Sequence, residues 1–235
     1  MDNACSHHDS ANMKSMCISK VPIFNHLEPH EMLEILKKSK QRIFKKGEII
    51  YREADPLEYL YIVHKGRVKI YKLFESGKEQ LLRILEPGEF MGELALFTEK
   101  VMDSYAEAIE KSEICAIHRN DIQNIMKTHP TIPLKILSEF SERLDETEYL
   151  VGQLSAKDVE TRTASYLVKL AEDNNSLNIL LPMSKKDLAS YLGTTQETIS
   201  RRLSYFQTNG WIEQVGHRKI NILNLEALTI AAEDL

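Results

Sequence analysis

Residues 183–223 read MSKKDLASYLGTTQETISRRLSYFQTNGWIEQVGHRKINIL, and this stretch decides the fold of the C-terminal part of the chain. Ser184 is a good helix N-cap, and Asp187 three residues on complements the positive end of a helix starting there. Leu188, Ala189 and Leu192 share its inward face, and Gly193 ends it. Thr194 and Thr195 cap a second helix whose Ile199, Leu203 and Phe206 recur at i, i+4 and i+7. Two short helices joined by a glycine-containing turn predict a helix-turn-helix over 185–204. The outward face of the second helix carries Gln196, Glu197, Ser200, Arg201 and Ser204. Such side chains read base edges: arginine donates to guanine O6 and N7, and glutamate accepts from cytosine N4. Glu197 and Arg201, four residues apart, are expected to brace each other. Gly210-Trp211 ends the helix. Ile212, Val215, Gly216-His217, Ile220 and Ile222 then predict a two-stranded wing, with Arg218 and Lys219 available to phosphates. A small helical domain with a merely solvated second helix would explain the charged face alone. It does not explain the turn, the polar face, the wing and the local positive balance together.

Charge supports a separate unit here. Between Met183 and Ile220 there are six basic and three acidic residues, whereas Leu137–Asp173 holds nine acidic and four basic ones. The chain as a whole, 235 residues with net charge −5, hides this split. Upstream, Thr161–Ala171 is expected to be helical, with Ala164, Leu167, Val168 and Ala171 on one face. After Pro130 and Pro133, Leu137, Phe140, Leu144, Thr147, Val151 and Leu154 are spaced 3, 4, 3, 4, 3, which is a heptad seam. Either that helix packs on its own domain or it pairs with a second copy, and a clean seam favours the parallel homodimer. Thr147 and Gly152 weaken it.

From Arg42 to His118 the period falls to two. Leu60 and Ile62, Val68 and Ile70, Leu82 and Ile84, and Ala106 and Ala108 alternate between turns at Gly47, Gly66, Gly77 and Pro87-Gly88. Short strands at such spacing predict an antiparallel β-sandwich or roll. Before it, Val21-Pro22-Ile23-Phe24 and Leu27 anchor the chain, and Glu31–Lys40 reads as a short amphipathic helix. Residues 1–20 read as a loose polar leader. They have neither the basic start nor the apolar run of a secretory signal, so a cytoplasmic protein is expected. Hydrophobic residues at 43% with no run near ~20 exclude a membrane-spanning helix. Three cysteines, Cys5, Cys17 and Cys115, are too few and too odd for a disulfide scaffold.

The stretch 183–223, with ETISR at 197–201, resembles the Crp/Fnr family of bacterial transcription factors, and its oxygen-sensing branch most closely. FKKGEIIY at 44–51, LYIVHKGRVKIY at 60–71 and PGEFMGELALF at 87–97 are similar to the family's cyclic-nucleotide-binding-type β-roll. The resemblance implies an α+β chain: leader 1–20, β-roll sensor 21–130, dimerisation helix 131–156 and winged helix-turn-helix 157–235. It implies a homodimer on double-stranded DNA, with RNA polymerase as a further partner. Glu197, Ser200 and Arg201 would read a TTGA-type half-site, while Gln196 varies between branches. In cAMP-binding members an Arg-Ser pair ten residues after the GEL glutamate holds the phosphate. Counted from Glu93 that pair is Asp103-Ser104 here, and a carboxylate repels phosphate, so cAMP is not expected.

Cys17 and Cys115 fall where two ligands of the branch's [4Fe–4S] cluster would stand, but the usual cysteine partners are absent, with His8 and Ala11 in their place. A cluster needs about four ligands, so Cys5 and His7, His8 or a carboxylate would have to complete it. Three readings stay open: inert thiols, a Cys17–Cys115 redox switch, or an iron–sulfur cluster. No metal is assigned. A cupin-type enzyme lacks its histidine pair here, since His64 and His118 stand alone, so no catalytic residue is expected. A β-roll module regulating a protein partner instead of DNA is the remaining alternative.

Overall fold

The computed structural model describes residues 17–156 and 158–233, which form two compact units. The first takes in the chain to Gly77 together with Leu82–Glu142, and the second takes in Lys78–Leu81 together with the chain from Arg143 on.

The first unit opens with a 3-10 turn, Cys17–Lys20, followed by α1, Pro29–Lys38. Residues 18–20 were expected in the loose leader, yet Ile18 is buried in one cluster with Val21, Ile23 and Phe24, the 3-10 turn carrying it past the polar Ser19 and Lys20. α1 starts two residues earlier than expected, on Pro29, whose fixed φ suits the first helical position. Ser39 and Lys40 belong instead to the first strand. Eight strands follow: β1 Ser39–Phe44, β2 Ile49–Tyr51, β3 Tyr59–Lys65, β4 Val68–Leu73, β5 Glu79–Leu85, β6 Phe90–Met91, β7 Tyr105–Ala108 and β8 Ser112–His118. They make two four-stranded sheets, ordered β1-β8-β3-β6 and β2-β7-β4-β5.

Alternation sorts the side chains of the first sheet between two cores. Leu60, Ile62, Cys115 and Ile117 face the helical segment with Ile18, Phe24 and Ile35. Val63, Met91 and Ile114 face Val68, Ile70, Leu85 and Ala106 of the second sheet. Gly66 turns β3 into β4 at φ +78°, where a Cβ would stand 2.5 Å from the Lys111 carbonyl oxygen, so only glycine fits.

In β5 the inward frame is the reverse of the expected one. Leu81 and Leu85 are buried while Leu82 is exposed. Arg83 shares the face of Leu81 and Leu85, and its charge is met by the buried Glu93, 3.4 Å from Nη2 to Oε1. That pairing lets the frame containing an arginine win over the apolar pair Leu82 and Ile84.

α2, Arg119–Thr128, was not expected; Ile122 alone is fully buried in it, so its apolar period is faint. α3, Thr131–Ala156, follows. The anticipated seam divides. Phe140 turns to the first unit's core, its ring 5.9 Å from that of Phe97. Leu134, Leu137, Leu144 and Val151 are instead 67%, 61%, 57% and 57% exposed, a single stripe along the helix. Thr147 turns its hydroxyl back to the Arg143 carbonyl at 2.7 Å.

The start of α3 is clamped by the N-terminal segment. Lys135 donates to the Pro22 carbonyl and to Asn25 Oδ1, His26 Nε2 is 2.6 Å from Thr131 Oγ1, and His129 Nε2 is 2.6 Å from Glu31 Oε1. The Glu31 carboxylate raises the His129 pKa, while the Glu28 backbone N–H, then His129, lowers that of Glu31. The raised histidine stabilises the fold fully below its ordinary 6.5 and loses this as pH climbs through the raised value. The lowered carboxylate contributes above its ordinary 4.5 and loses this as pH falls through the lowered value. Glu31→Gln should therefore lower the thermal midpoint more at about pH 6 than at about pH 8.5. Differential scanning calorimetry at both values checks this, and an equal drop would refute it.

The second unit contains α4 Val159–Asp173, β9 Asn178–Leu180, α5 Lys185–Tyr191, α6 Gln196–Thr208, β10 Ile212–Val215, β11 Lys219–Ile222 and α7 Leu225–Ala232. Leu167, Leu188, Ile199, Leu203, Phe206 and Leu228 are fully buried, and α4 packs on α6 and α7. The wing has three strands, ordered β10-β11-β9, where two were expected. β9 offers a single inward residue, Ile179, which is too short a pattern to read. α7, capped by Asn224, was likewise not expected.

Candidate nucleic-acid interface

The turn between α5 and α6 is built by local bonds. Ser184 Oγ accepts from the Asp187 amide at 3.1 Å and donates to its carboxylate at 2.6 Å, fixing the start of α5. Gly193 takes φ +67° in the turn. Of the two expected caps, Thr195 is the one used, accepting from the Thr198 amide at 3.3 Å. The Thr194 amide closes the end of α5 on the Ala189 carbonyl.

Burial of Ile199, Leu203 and Phe206 fixes the roll of α6. Phe206 stacks on Trp211 at 5.3 Å, and Trp211 also meets Tyr205 edge-on at 5.8 Å. Gln196, Glu197, Arg201 and Ser204 are consequently exposed, with Ser200 half-buried among them. The neighbouring arginine is withheld from this face, since Arg202 Nη1 lies 2.7 Å from Glu160 Oε2 on α4. A cavity of about 190 Å³ on α6 is lined by Thr198, Arg201 and Arg202.

Glu197 and Arg201 attract each other as their spacing suggests, but the Arg201 guanidinium bonds a hydroxyl and not the carboxylate. Arg201 Nη2 donates to Thr198 Oγ1 at 3.3 Å. Glu197's own backbone N–H, then the Thr195 hydroxyl, holds its carboxyl below the ordinary range, with the Arg201 charge a lesser contribution. Glu197 is thus an ionised acceptor at neutral pH. The relevant hydroxyl is one step along the helix from where charge pairing alone would look. The spacing of Thr195, Thr198 and Arg201 was the available signal.

The wing is held against α6. Lys185 Nζ donates to Gln214 Oε1 at 2.6 Å, and the Gln214 amide donates to Gln207 Oε1 at 3.0 Å. Lys219 is exposed and Arg218 half-buried, its carbonyl accepting from the Leu181 amide.

In the β-roll, Asp103 is 73% exposed and pairs with Lys72 at 3.2 Å, while Ser104 is buried. Cys115 is 2% exposed on β8, between Gln41 of β1 and Ile62 of β3 in register. Cys5, His7 and His8, and the side chain of Cys17, lie outside the described residues. Among the described residues no group of three or more His, Cys, Asp or Glu is placed to hold a metal ion. Nor is any described helix long and apolar enough to cross a membrane.

Residues 41–129 match the cyclic nucleotide-binding domain, and residues 161–230 match the Crp-like helix-turn-helix domain. The chain is 31% identical over 214 residues to the probable transcriptional regulator flp of Lacticaseibacillus casei, spanning 91% of this chain and 97% of that protein. It is 30% identical over 212 residues to the regulatory protein HlyX of Actinobacillus pleuropneumoniae, spanning 87% of each. The solved structure of FixK2 from Bradyrhizobium japonicum superposes with a TM-score of 0.73 at 28% identity, covering 84% of this chain and 98% of that one.

Proposed function

The chain belongs to the Crp/Fnr family of transcription regulators, and on that premise we propose that it works as a cytoplasmic homodimer reading a TTGA-type palindrome. The outward face of α6 supports this reading above all. It presents Glu197 and Arg201, one anion and one cation, on a helix whose other arginine is pinned by Glu160. Arg201 takes the guanine edge, Glu197 the cytosine amine of the complementary strand, and Ser200 and Gln196 flank them. Arg218 and Lys219 of the wing hold phosphates and so fix register without reading sequence. Two such helices enter successive major grooves about one helical turn apart. The role is binding and not catalysis, with RNA polymerase as the further partner that family resemblance implies.

cAMP is not the signal in this reading. Glu93 already has the Arg83 guanidinium beside it, and Asp103 puts a carboxylate where a phosphate would need a cation. Fluorescence anisotropy on a palindromic TTGA duplex, a single half-site and a scrambled duplex, each with and without cAMP, tests both parts. The palindrome should bind tightest, with cAMP leaving every curve unchanged. Equal binding to all three duplexes would favour a module acting on a protein partner, and a saturable cAMP-dependent gain would overturn the reading of the pocket.

A redox or oxygen response through the cysteines rests on resemblance and on one observation: Cys115 and Ile18, the residue after Cys17, belong to the same apolar cluster. A buried thiol reacts slowly with oxidants. A cluster or disulfide there must therefore form with the N-terminal segment open. Anaerobic purification, iron analysis and DNA affinity before and after air, with Cys115→Ser and Cys17→Ser in parallel, test it. An unchanged response in both variants would make these thiols packing residues.

A further inference from the structure

Arg201, on the outward face of α6, is tied to a pair of threonine hydroxyls at the start of that helix. Thr195 Oγ1 and Thr198 Oγ1 are 3.1 Å apart, so one donates to the other. A hydroxyl has one proton and two acceptor sites. The Thr198 oxygen accepts from Arg201 Nη2 at 3.3 Å. Thr195 Oγ1 accepts from the Thr198 amide at 3.3 Å. The Arg201 guanidinium is therefore tied to the Thr198 hydroxyl, which itself sits against the Thr195 cap.

We propose that Thr198 is a specificity-determining positioning residue, whose hydroxyl sets Arg201 in register before DNA arrives. The proposal rests on the reading of Arg201 and Glu197 as base contacts. One Nη2 proton is taken by Thr198, which leaves the other guanidinium donors for a bidentate pair with guanine. The Arg201 side chain is exposed, so without that bond it must be ordered during binding, at a cost in affinity felt only where base edges are read. Phosphate contacts made elsewhere are untouched.

Thr198→Val tests this with little disturbance. Valine keeps the β-branched shape, and the Thr198 amide still reaches the Thr195 cap, so the start of α6 is preserved. Losing a hydrogen bond of ordinary strength should weaken binding to the TTGA palindrome about 2- to 10-fold per half-site. Binding to scrambled duplex and the salt slope should not change, and Thr198→Ser should restore the wild-type profile. Circular dichroism and the thermal midpoint check folding, with Thr198→Ala as the second variant should valine perturb the helix. Equal loss on cognate and scrambled duplexes would make Thr198 a phosphate contact and overturn the proposal, as would no loss at all. Arg201→Ala run in parallel separates the two levels. If it keeps the guanine preference, the base-reading assignment fails. If it loses that preference while the Thr198→Val and Arg201→Ala effects are additive, the positioning role of Thr198 alone fails.

Discussion

A chain carrying Leu137→Glu and Leu144→Glu together is expected to sediment as a monomer and to bind the palindromic duplex at least about 100-fold more weakly than wild type. Both leucines are around three-fifths exposed in the single chain, at 61% and 57%, and they line up with Leu134 and Val151 on one face of α3. A carboxylate at either site remains solvated in a monomer, so the fold should persist with an unchanged far-UV spectrum. In a dimer the same positions would bury four leucines, each contributing about 1.5–3 kcal/mol when fully covered, and four carboxylates there would repel. Acidic neighbours Glu142, Asp145, Glu146 and Glu148 would aggravate that repulsion. Loss of dimerisation leaves each helix-turn-helix to find its half-site alone, without the gain from linked binding. A variant that stays dimeric, or a monomer that binds the palindrome as tightly as wild type, would refute the proposed assembly.

Arg201→Ala should cost roughly 1–3 kcal/mol on the cognate site and flatten the preference at one base pair of each half-site. The guanidinium is exposed, its neighbour Arg202 is engaged with Glu160, and no other arginine of α6 can take its place. Arg218→Ala is the control. A side chain that only meets phosphate should weaken every duplex alike and reduce the slope of log affinity against log salt by about 1. Anisotropy titrations over a salt series, on cognate and single-substituted duplexes, separate the two patterns. Equal losses on cognate and scrambled DNA for Arg201→Ala would remove it from the set of base contacts.

The helix-turn-helix was legible because its signals are local. Ser184 and Thr195 cap, Gly193 turns, and Ile199, Leu203 and Phe206 repeat at helical spacing, each within a few residues of the bonds it makes. The β-roll was legible for the same reason in period two, through Leu60 and Ile62, Val68 and Ile70, and Ala106 and Ala108. α2, β9 and α7 were not, because each shows only one fully buried apolar residue, and one point defines no period.

Three features were decided by tertiary structure. Leu81 and Leu85 face inward instead of Leu82 and Ile84, because Glu93, ten residues on from Arg83, comes round to neutralise it. Phe140 leaves the heptad seam because Phe97, on the loop after β6, offers it a ring to pack on. Arg201 bonds the Thr198 hydroxyl rather than the Glu197 carboxylate, since burial of the opposite face fixes the roll of α6 and side-chain bonding follows from that roll. Caps, turns and periods depend on bonds between near neighbours, so the amino-acid sequence determined them by itself. Which apolar frame is inward, which side of a helix is free and which polar atoms meet depend on groups distant along the chain, and only the folded structure sets those distances.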